Sequence, residues 1–233
     1  MAHSVRAFHP SGSRVTLQYL LHFPSGALEG GWPLAFFLHG AGERGDDPRL
    51  LLRQGLPRHA EAHAKDLPFL LVSPQCPEWS SWQQHLGHVE ELLEAVMAEH
   101  PVDPDRIYLT GISMGGFGAW FLGTERPERF AAVVPICGYG PEALGFPERV
   151  CALRQVPVWA FHGAKDTVVP AEESCKLVDA LRLCGGDVRL TIYPDVGHDS
   201  WTQTYDDPEL YDWMLAQRKS RAVEGEPKQS RML

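Results

Sequence analysis

The sequence predicts an α/β fold built on a mostly parallel sheet with helices on both faces. Three observations point there. Short apolar runs of strand length recur along the 233 residues, stretches with helical spacing separate them, and glycine-rich turns close several of the runs. A chain of this length suits one α/β domain and is short for two.

Taken in order, residues 15–23 alternate enough for an early strand. Residues 33–38 (PLAFFL) form a buried strand that runs into His39-Gly40. Residues 47–60 have helical spacing, with Leu50, Leu51 and Leu52 near the start. Residues 69–73 form a second buried strand, followed by a loop rich in Pro, Ser and Trp over 74–84. In 86–100 the apolar positions Val89, Leu92, Leu93 and Val96 make the stripe of an amphipathic helix. Residues 106–110 are a strand entering the turn GISMGG, and 114–126 read as helix until Pro127 ends it. Strands follow at 130–136 and 156–161. A helix over 172–183 is closed by Gly185-Gly186, then come a last strand at 188–193 and a last helix at 207–217. This places one domain over 1–218 and a polar tail over 219–233. The connection 136–156 leaves room for a loop and a short helix, and none for a large lid domain.

Composition narrows the functions. Hydrophobic residues are 44% of the chain, enough for a sizeable core and against disorder. Lys plus Arg is 21 and Asp plus Glu is 30, a formal charge of −9 with no basic cluster, which argues against nucleic acid or an anionic membrane as partner. The N-terminus lacks the apolar run of a signal peptide, and no apolar stretch approaches a membrane span. The five cysteines are odd in number, and their spacings fit neither a disulfide framework nor a zinc site. Free thiols in a reducing compartment are expected, hence a cytoplasmic location.

Gly111-Ile112-Ser113-Met114-Gly115 fits G-x-S-x-G. The pattern alone arises by chance in a chain this long about one time in ten. Its setting gives it meaning: a strand enters it and a helix leaves it. Such a turn holds the serine exposed at the strand end, and the helix N-terminus beneath favours developing negative charge. The alternative is a glycine-rich turn with an N-capping serine. A serine hydroxyl needs a base to become a nucleophile. With the order Ser, then Asp or Glu, then His, the base is His198, just after the last strand, and the acid is Asp166, after the strand that ends in Phe161-His162-Gly163. Asp195 and Asp199 lie too close in sequence to His198 to be preferred, and His162 reads as structural. Acyl transfer also needs backbone N–H groups aimed at the oxyanion. Met114 supplies one, and Ala41, in the loop His39-Gly40-Ala41-Gly42-Glu43-Arg44-Gly45, supplies the other, with Gly42 second.

Together the segments LHGAGERG (38–45), SPQCP (73–77), DRIYLTGISMGGFGAW (105–120), PVWAFHGAKDTVVP (157–170) and YPDVGHDSW (193–201) resemble single-domain esterases of the α/β-hydrolase superfamily, near the dienelactone hydrolase, feruloyl esterase and polyhydroxybutyrate depolymerase branch. The resemblance implies an α/β-hydrolase fold and hydrolysis of carboxylic esters, and it carries the triad roles to Ser113, Asp166 and His198. Dienelactone hydrolases use a cysteine nucleophile, so the serine here departs from that activity. No cofactor is implied, and the expected partner is a small ester. Acyl transfer, peptide cleavage and a non-catalytic binding role are the competing readings.

Trp82, in the loop after residues 69–73, and Trp201, three residues past His198, are candidate walls of a substrate pocket. His59 with His63 and His85 with His88 have helical spacing, but HAEAH is not H-E-x-x-H and no third ligand is evident, so no metal is expected.

Overall fold

The computed structural model describes residues 3–24, 30–63 and 67–219. Eight strands make one sheet: β1 (His3–Phe8), β2 (Leu17–His22), β3 (Trp32–Leu38), β4 (Leu70–Pro74), β5 (Val102–Ile112), β6 (Ala132–Ile136), β7 (Val158–Gly163) and β8 (Val188–Tyr193). Their spatial order is β1-β2-β4-β3-β5-β6-β7-β8. β2 pairs antiparallel with β1 and β4, and every pairing from β4 through β8 is parallel. The helices are α1 (Gly55–Ala62), α2 (Leu86–Glu99), α3 (Met114–Glu125), α4 (Ala171–Leu183), α5 (Trp201–Tyr205) and α6 (Pro208–Ala216).

Strand alternation assigns each side chain to a layer. In β3, Leu34, Phe36 and Leu38 join one core with Val89 and Leu92 of α2, Phe117 and Phe121 of α3, and Leu177 and Leu181 of α4. Ala35 and Phe37 point the other way, to a second core with Leu56 of α1, Trp201 and Tyr205 of α5, and Leu210 and Trp213 of α6. Both faces of β3 are therefore buried, as PLAFFL demands, since each fully buried Leu or Phe contributes roughly 1.5–3 kcal/mol.

The structure departs from the sequence reading at several elements. Residues 47–60 are not one helix. A 3₁₀ segment, Pro48–Arg53, is followed by α1 after a break at Gly55, whose φ is +70°. A Cβ at Gly55 would stand 2.6 Å from the Phe37 ring, so the chain turns there where only glycine fits. Strand β1 escaped notice because its polar, half-exposed sequence HSVRAF marks a sheet edge. Strand β5 begins earlier than expected and includes Pro104. Between β6 and β7 lie only two 3₁₀ segments, Glu142–Leu144 and Glu148–Leu153, in agreement with the absence of a large lid. The proposed polar tail lies outside the described residues except for Lys219, whose N–H donates to the Asp105 carbonyl at 2.9 Å. Among the described residues no helix is long and apolar enough to cross a membrane.

The cysteines need a correction. Cys151 and Cys184 form a disulfide with their Cα atoms 5.5 Å apart, while Cys76, Cys137 and Cys175 are free thiols. Spacing could not reveal the pair, because the 3₁₀ segment carrying Cys151 meets the end of α4 only through tertiary packing. Closing this 33-residue separation restricts the unfolded chain by about 3–4 kcal/mol at 25 °C. We therefore expect unreduced, denatured protein to titrate three thiols and reduced protein five, with Cys184→Ser lowering unfolding stability by that order. Five thiols without reductant would show the pair unbridged.

Candidate active site

The turn after β5 sets the site. Ser113 has φ +53° and ψ −115°, a conformation that costs a non-glycine residue of order 1–3 kcal/mol. It persists because neighbours define it. The Ser113 N–H donates to the Ile136 carbonyl at 3.0 Å, and its own carbonyl accepts the first bond of α3, from Phe117 N–H at 2.9 Å. A side chain at Gly111 would collide with the Gly115 carbonyl, and one at Gly115 with the Leu38 carbonyl. Ser113 caps no helical N–H with its side chain, which disposes of the N-cap alternative. Its Oγ instead lies 2.9 Å from His198 Nε2.

His198 Nδ1 lies 2.7 Å from Asp166 Oδ2. The other carboxylate oxygen, Oδ1, accepts the N–H groups of Val168 and Val169 at 2.8 and 2.9 Å. Burial pushes the Asp166 carboxyl upward in pKa, but the His198 bond and these two amides outweigh it and hold the group below its ordinary value. Neither competing carboxylate reaches the imidazole by a hydrogen bond. Asp195 pairs with Lys165 at the surface, and Asp199 accepts Thr202 N–H and Oγ1–H, each at 3.0 Å.

Two residues at the end of β7 bring these loops together. A Cβ at Gly163 would collide with the Val196 and Gly197 carbonyls, so glycine lets the histidine loop lie directly on the aspartate loop. His162 is wholly buried behind Asp166. Its Nδ1 meets Ser174 Oγ at 2.7 Å, and its Nε2 meets the Val169 carbonyl at 2.8 Å. It braces the turn whose amides hold Asp166. This gives the structural role read from the sequence a definite form.

The loop after β3 stands beside the serine. A Cβ at Gly40 would be 3.7 Å from Ser113 Cβ, and Ala41, at the start of a one-turn 3₁₀ helix, is exposed at this lip. Its amide and that of Met114 are the first N–H groups of their helical turns, which lack intrahelical partners. The loop is pinned from behind. Cys76 N–H donates to His39 Nε2 at 2.8 Å, and Trp82 Nε1–H donates to the His39 carbonyl at 2.9 Å. Gln75 Nε2–H donates to the Glu43 carbonyl at 2.8 Å, and Arg44 Nε–H donates to the Ala41 carbonyl at 2.9 Å. Gln54 donates to the buried Glu43 carboxylate.

Trp82 therefore does not wall a pocket. It is fully buried, edge-on to the His39 ring at 4.9 Å, and it supports the loop after β3 from the core. The exposed indole of the 74–84 loop is Trp79, at 87%. Trp201 is also mostly buried and sets its ring at 89° to His198 with centroids 5.4 Å apart, so it packs against the imidazole and does not wall a pocket. Beneath the serine lies Cys137, itself at φ +40°, whose Sγ is 3.3 Å from Ser113 N. Burial pushes its thiol up to about 12, so it stays protonated and is no rival nucleophile. The two flagged histidine pairs are engaged elsewhere: His59 with Asp206 at 3.1 Å, His85 with Ser80 Oγ at 2.9 Å.

Residues 68–208 match the phospholipase/carboxylesterase family. A thermostable esterase of known structure is 34% identical, with a TM-score of 0.79 over 93% of this chain and 63% of its own, so this chain spans under two thirds of that protein. A ferulic acid esterase, 18% identical with a TM-score of 0.71 over 91% of this chain and 95% of its own, shares the fold. Acyl-protein thioesterase 1 of Gibberella zeae is 24% identical over 75% of this chain and 87% of its own length.

Two outcomes are expected. Asp166→Asn lowers kcat on the order of 10⁴-fold, because His198 loses the partner that fixes its tautomer. Asp195→Asn and Asp199→Asn stay far closer to wild type in the same steady-state assay. The second concerns His39. Burial lowers its pKa from 6.5 to about 4, against the raising effect of its bond to the Gly40 carbonyl. Between those values the unfolded chain binds a proton that the folded chain refuses, so stability falls as pH drops from 6.5 towards 4. The slope is about 1.4 kcal/mol per pH unit for this one group. Urea unfolding of wild type and His39→Gln across that window should differ by this slope.

Proposed function

The chain belongs to the phospholipase/carboxylesterase family, and on that premise we propose that it is a serine carboxylesterase working through an acyl-enzyme intermediate on esters of short-chain or aromatic acids. One observation carries the reading: the unbroken chain of contacts Ser113 Oγ, His198 Nε2, His198 Nδ1, Asp166 Oδ2, at 2.9 and 2.7 Å.

In this mechanism Ser113 Oγ attacks the ester carbonyl while His198 Nε2 takes its proton. Asp166 stabilises the imidazolium that forms, and its two backbone amide bonds keep it ionised. The oxyanion of the tetrahedral intermediate accepts N–H groups from Met114 and Ala41. His198 then protonates the departing alcohol, and the acyl group remains on Ser113. Water, deprotonated by the same imidazole, releases the acid and restores the hydroxyl. Hydrogen bonds that hold the Ala41 loop fix its amide before reaction, so little reorganisation is needed when charge develops.

A thioester carbonyl would follow the same route, and the likeness to the Gibberella zeae thioesterase favours testing one. For substrate size, the short 3₁₀ segments between β6 and β7 provide little apolar wall. Half-buried Tyr139, stacked on Phe117 at 5.1 Å, and exposed Trp79 offer aromatic faces for a planar acid in place of Trp82. The Cys151–Cys184 bridge favours an oxidising compartment over the cytoplasmic site of action expected from the cysteine count.

A fluorophosphonate probe should label wild type and leave Ser113→Ala unlabelled while its circular dichroism is unchanged. Labelling that persists on another serine would overturn the assignment. With p-nitrophenyl esters, kcat/KM should peak at around two to six acyl carbons. Each buried methylene contributes about 0.8 kcal/mol and a solvated one almost nothing. A steady rise to palmitate would reveal a deep apolar tunnel instead.

A further inference from the structure

Far from the triad, the edge of the sheet carries a group of side chains that the ester chemistry does not use. His3 and His22 are register partners in the antiparallel pair of β1 and β2, so their side chains lie side by side on one face. Their rings sit 5.1 Å apart. Glu61, in the last turn of α1, reaches the same place. Its Oε2 is 2.6 Å from His3 Nδ1 and 3.9 Å from His22 Nε2.

His22 is the informative member. Its side chain is 1% exposed, and neither ring nitrogen has a hydrogen-bond partner among the described residues. Buried polar groups are nearly always satisfied, and leaving one bare costs about 1–3 kcal/mol. The bond between His3 and Glu61 explains those two residues, but it does nothing for His22. We propose that His3, His22 and Glu61 form a binding site for one divalent transition-metal ion of the zinc type. The ion gives the buried imidazole its missing partner.

The donor set fits that class of ion. Two imidazole nitrogens and one carboxylate oxygen suit zinc or its neighbours, whereas calcium and magnesium prefer oxygen alone. One ligand atom from each residue lies within 4.8 Å of the others. Tetrahedral bonds of about 2.0–2.1 Å place ligand atoms roughly 3.4 Å apart. The separations of 2.6 and 3.9 Å straddle that value, so each needs to change by less than 1 Å. Adjustment falls to Glu61, whose side chain is 42% exposed, and His3, at 13%, while His22 is fixed by burial. That open side leaves the fourth position to water.

The site would be structural. Among the described residues strand β1 pairs with β2 alone, and an ion would tie both strands to α1. Ser113, Asp166 and His198 follow β5, β7 and β8, so loading need not touch the hydrolytic machinery. The inference therefore stands whatever the ester specificity proves to be.

Metal-stripped full-length chain should be dialysed against zinc and, separately, titrated with cobalt(II). One zinc per chain, tetrahedral-type cobalt absorption and a raised Tm are expected, with esterase activity unchanged. Because His22→Ala removes a core side chain and can fail to fold, Glu61→Gln and His3→Gln carry the test, with circular dichroism as the control. Each should weaken binding by more than the ~10–100-fold typical of losing an outer partner of a ligand, while His63→Gln leaves it unaltered. Absence of stoichiometric binding by the folded wild type would overturn the proposal. So would equal affinity in Glu61→Gln and His3→Gln, or binding that inhibits hydrolysis and vanishes in His198→Ala, since the ion would then sit at the triad.

Discussion

No side chain fits at Gly115, because a Cβ there would strike the carbonyl oxygen of Leu38 at the end of the neighbouring strand. That exclusion governs the site. It lets α3 start directly against β3, which forces the reversal at Ser113 into a positive-φ turn. The serine hydroxyl is then presented beyond the strand ends and not packed against them. The same contact sets Ser113 beside Gly40. Helix α3 continues the principle: Gly116 and Gly118 also face carbonyl or side-chain atoms closer than a Cβ would tolerate. The strain at Ser113 is offset by packing along the whole length of α3, most of which is buried.

Asp166 and His198, the proposed acid and base, depend on a second close approach. Gly163 lets the loops after β7 and β8 touch through their backbones, with Lys165 N–H donating to the Val196 carbonyl and Ala164 N–H to the Tyr193 carbonyl, both at 2.9 Å. Asp166 and His198 thereby become neighbours although 32 residues separate them. His162 and Ser174 fix the aspartate turn from behind, and Trp201 packs against the imidazole. A general base works best when its hydrogen bonds exist before the substrate arrives, and this arrangement provides them.

The loop after β3, proposed to supply an oxyanion amide, is held by a different device, a small buried polar network. His39 both donates and accepts, Trp82 and Gln75 donate to loop carbonyls, and Gln54 meets Glu43. An unpaired polar group in a low-dielectric interior is costly, and here Glu43 Oε2 and Gln75 Oε1 have no hydrogen-bond partner among the described residues, so the loop is held by the bonds that the other atoms of these side chains make. Neutral His39 is one condition of this, and burial ensures it at any pH well above 4. Nearly every member is remote from the nucleophile in sequence, so the loop's shape is a property of the folded core.

Much of this was legible in the chain itself. Parallel strands covered on both faces declare themselves as short continuous apolar runs, and PLAFFL could hardly be anything else. G-x-S-x-G between a strand and a helix, with Asp166 and His198 each just past a later strand, follows from the order of elements, because strand ends in a parallel sheet share one edge. Other features were closed to sequence reasoning. The edge strand β1 is too polar to show a pattern, and the helix break at Gly55 depends on the Phe37 ring opposite. The Cys151–Cys184 bridge joins segments that meet only in the folded chain. Trp82 looked like a pocket wall and proved to be a brace, because burial is decided by what packs around a residue and not by its own kind. Local sequence thus determined the strands, the nucleophile turn and the residue types of the triad, through backbone sterics and hydrophobic periodicity. Tertiary structure alone decided which tryptophan is exposed, that Cys151 meets Cys184, and that His3, His22 and Glu61 converge, because each of these depends on contacts between residues far apart in the chain.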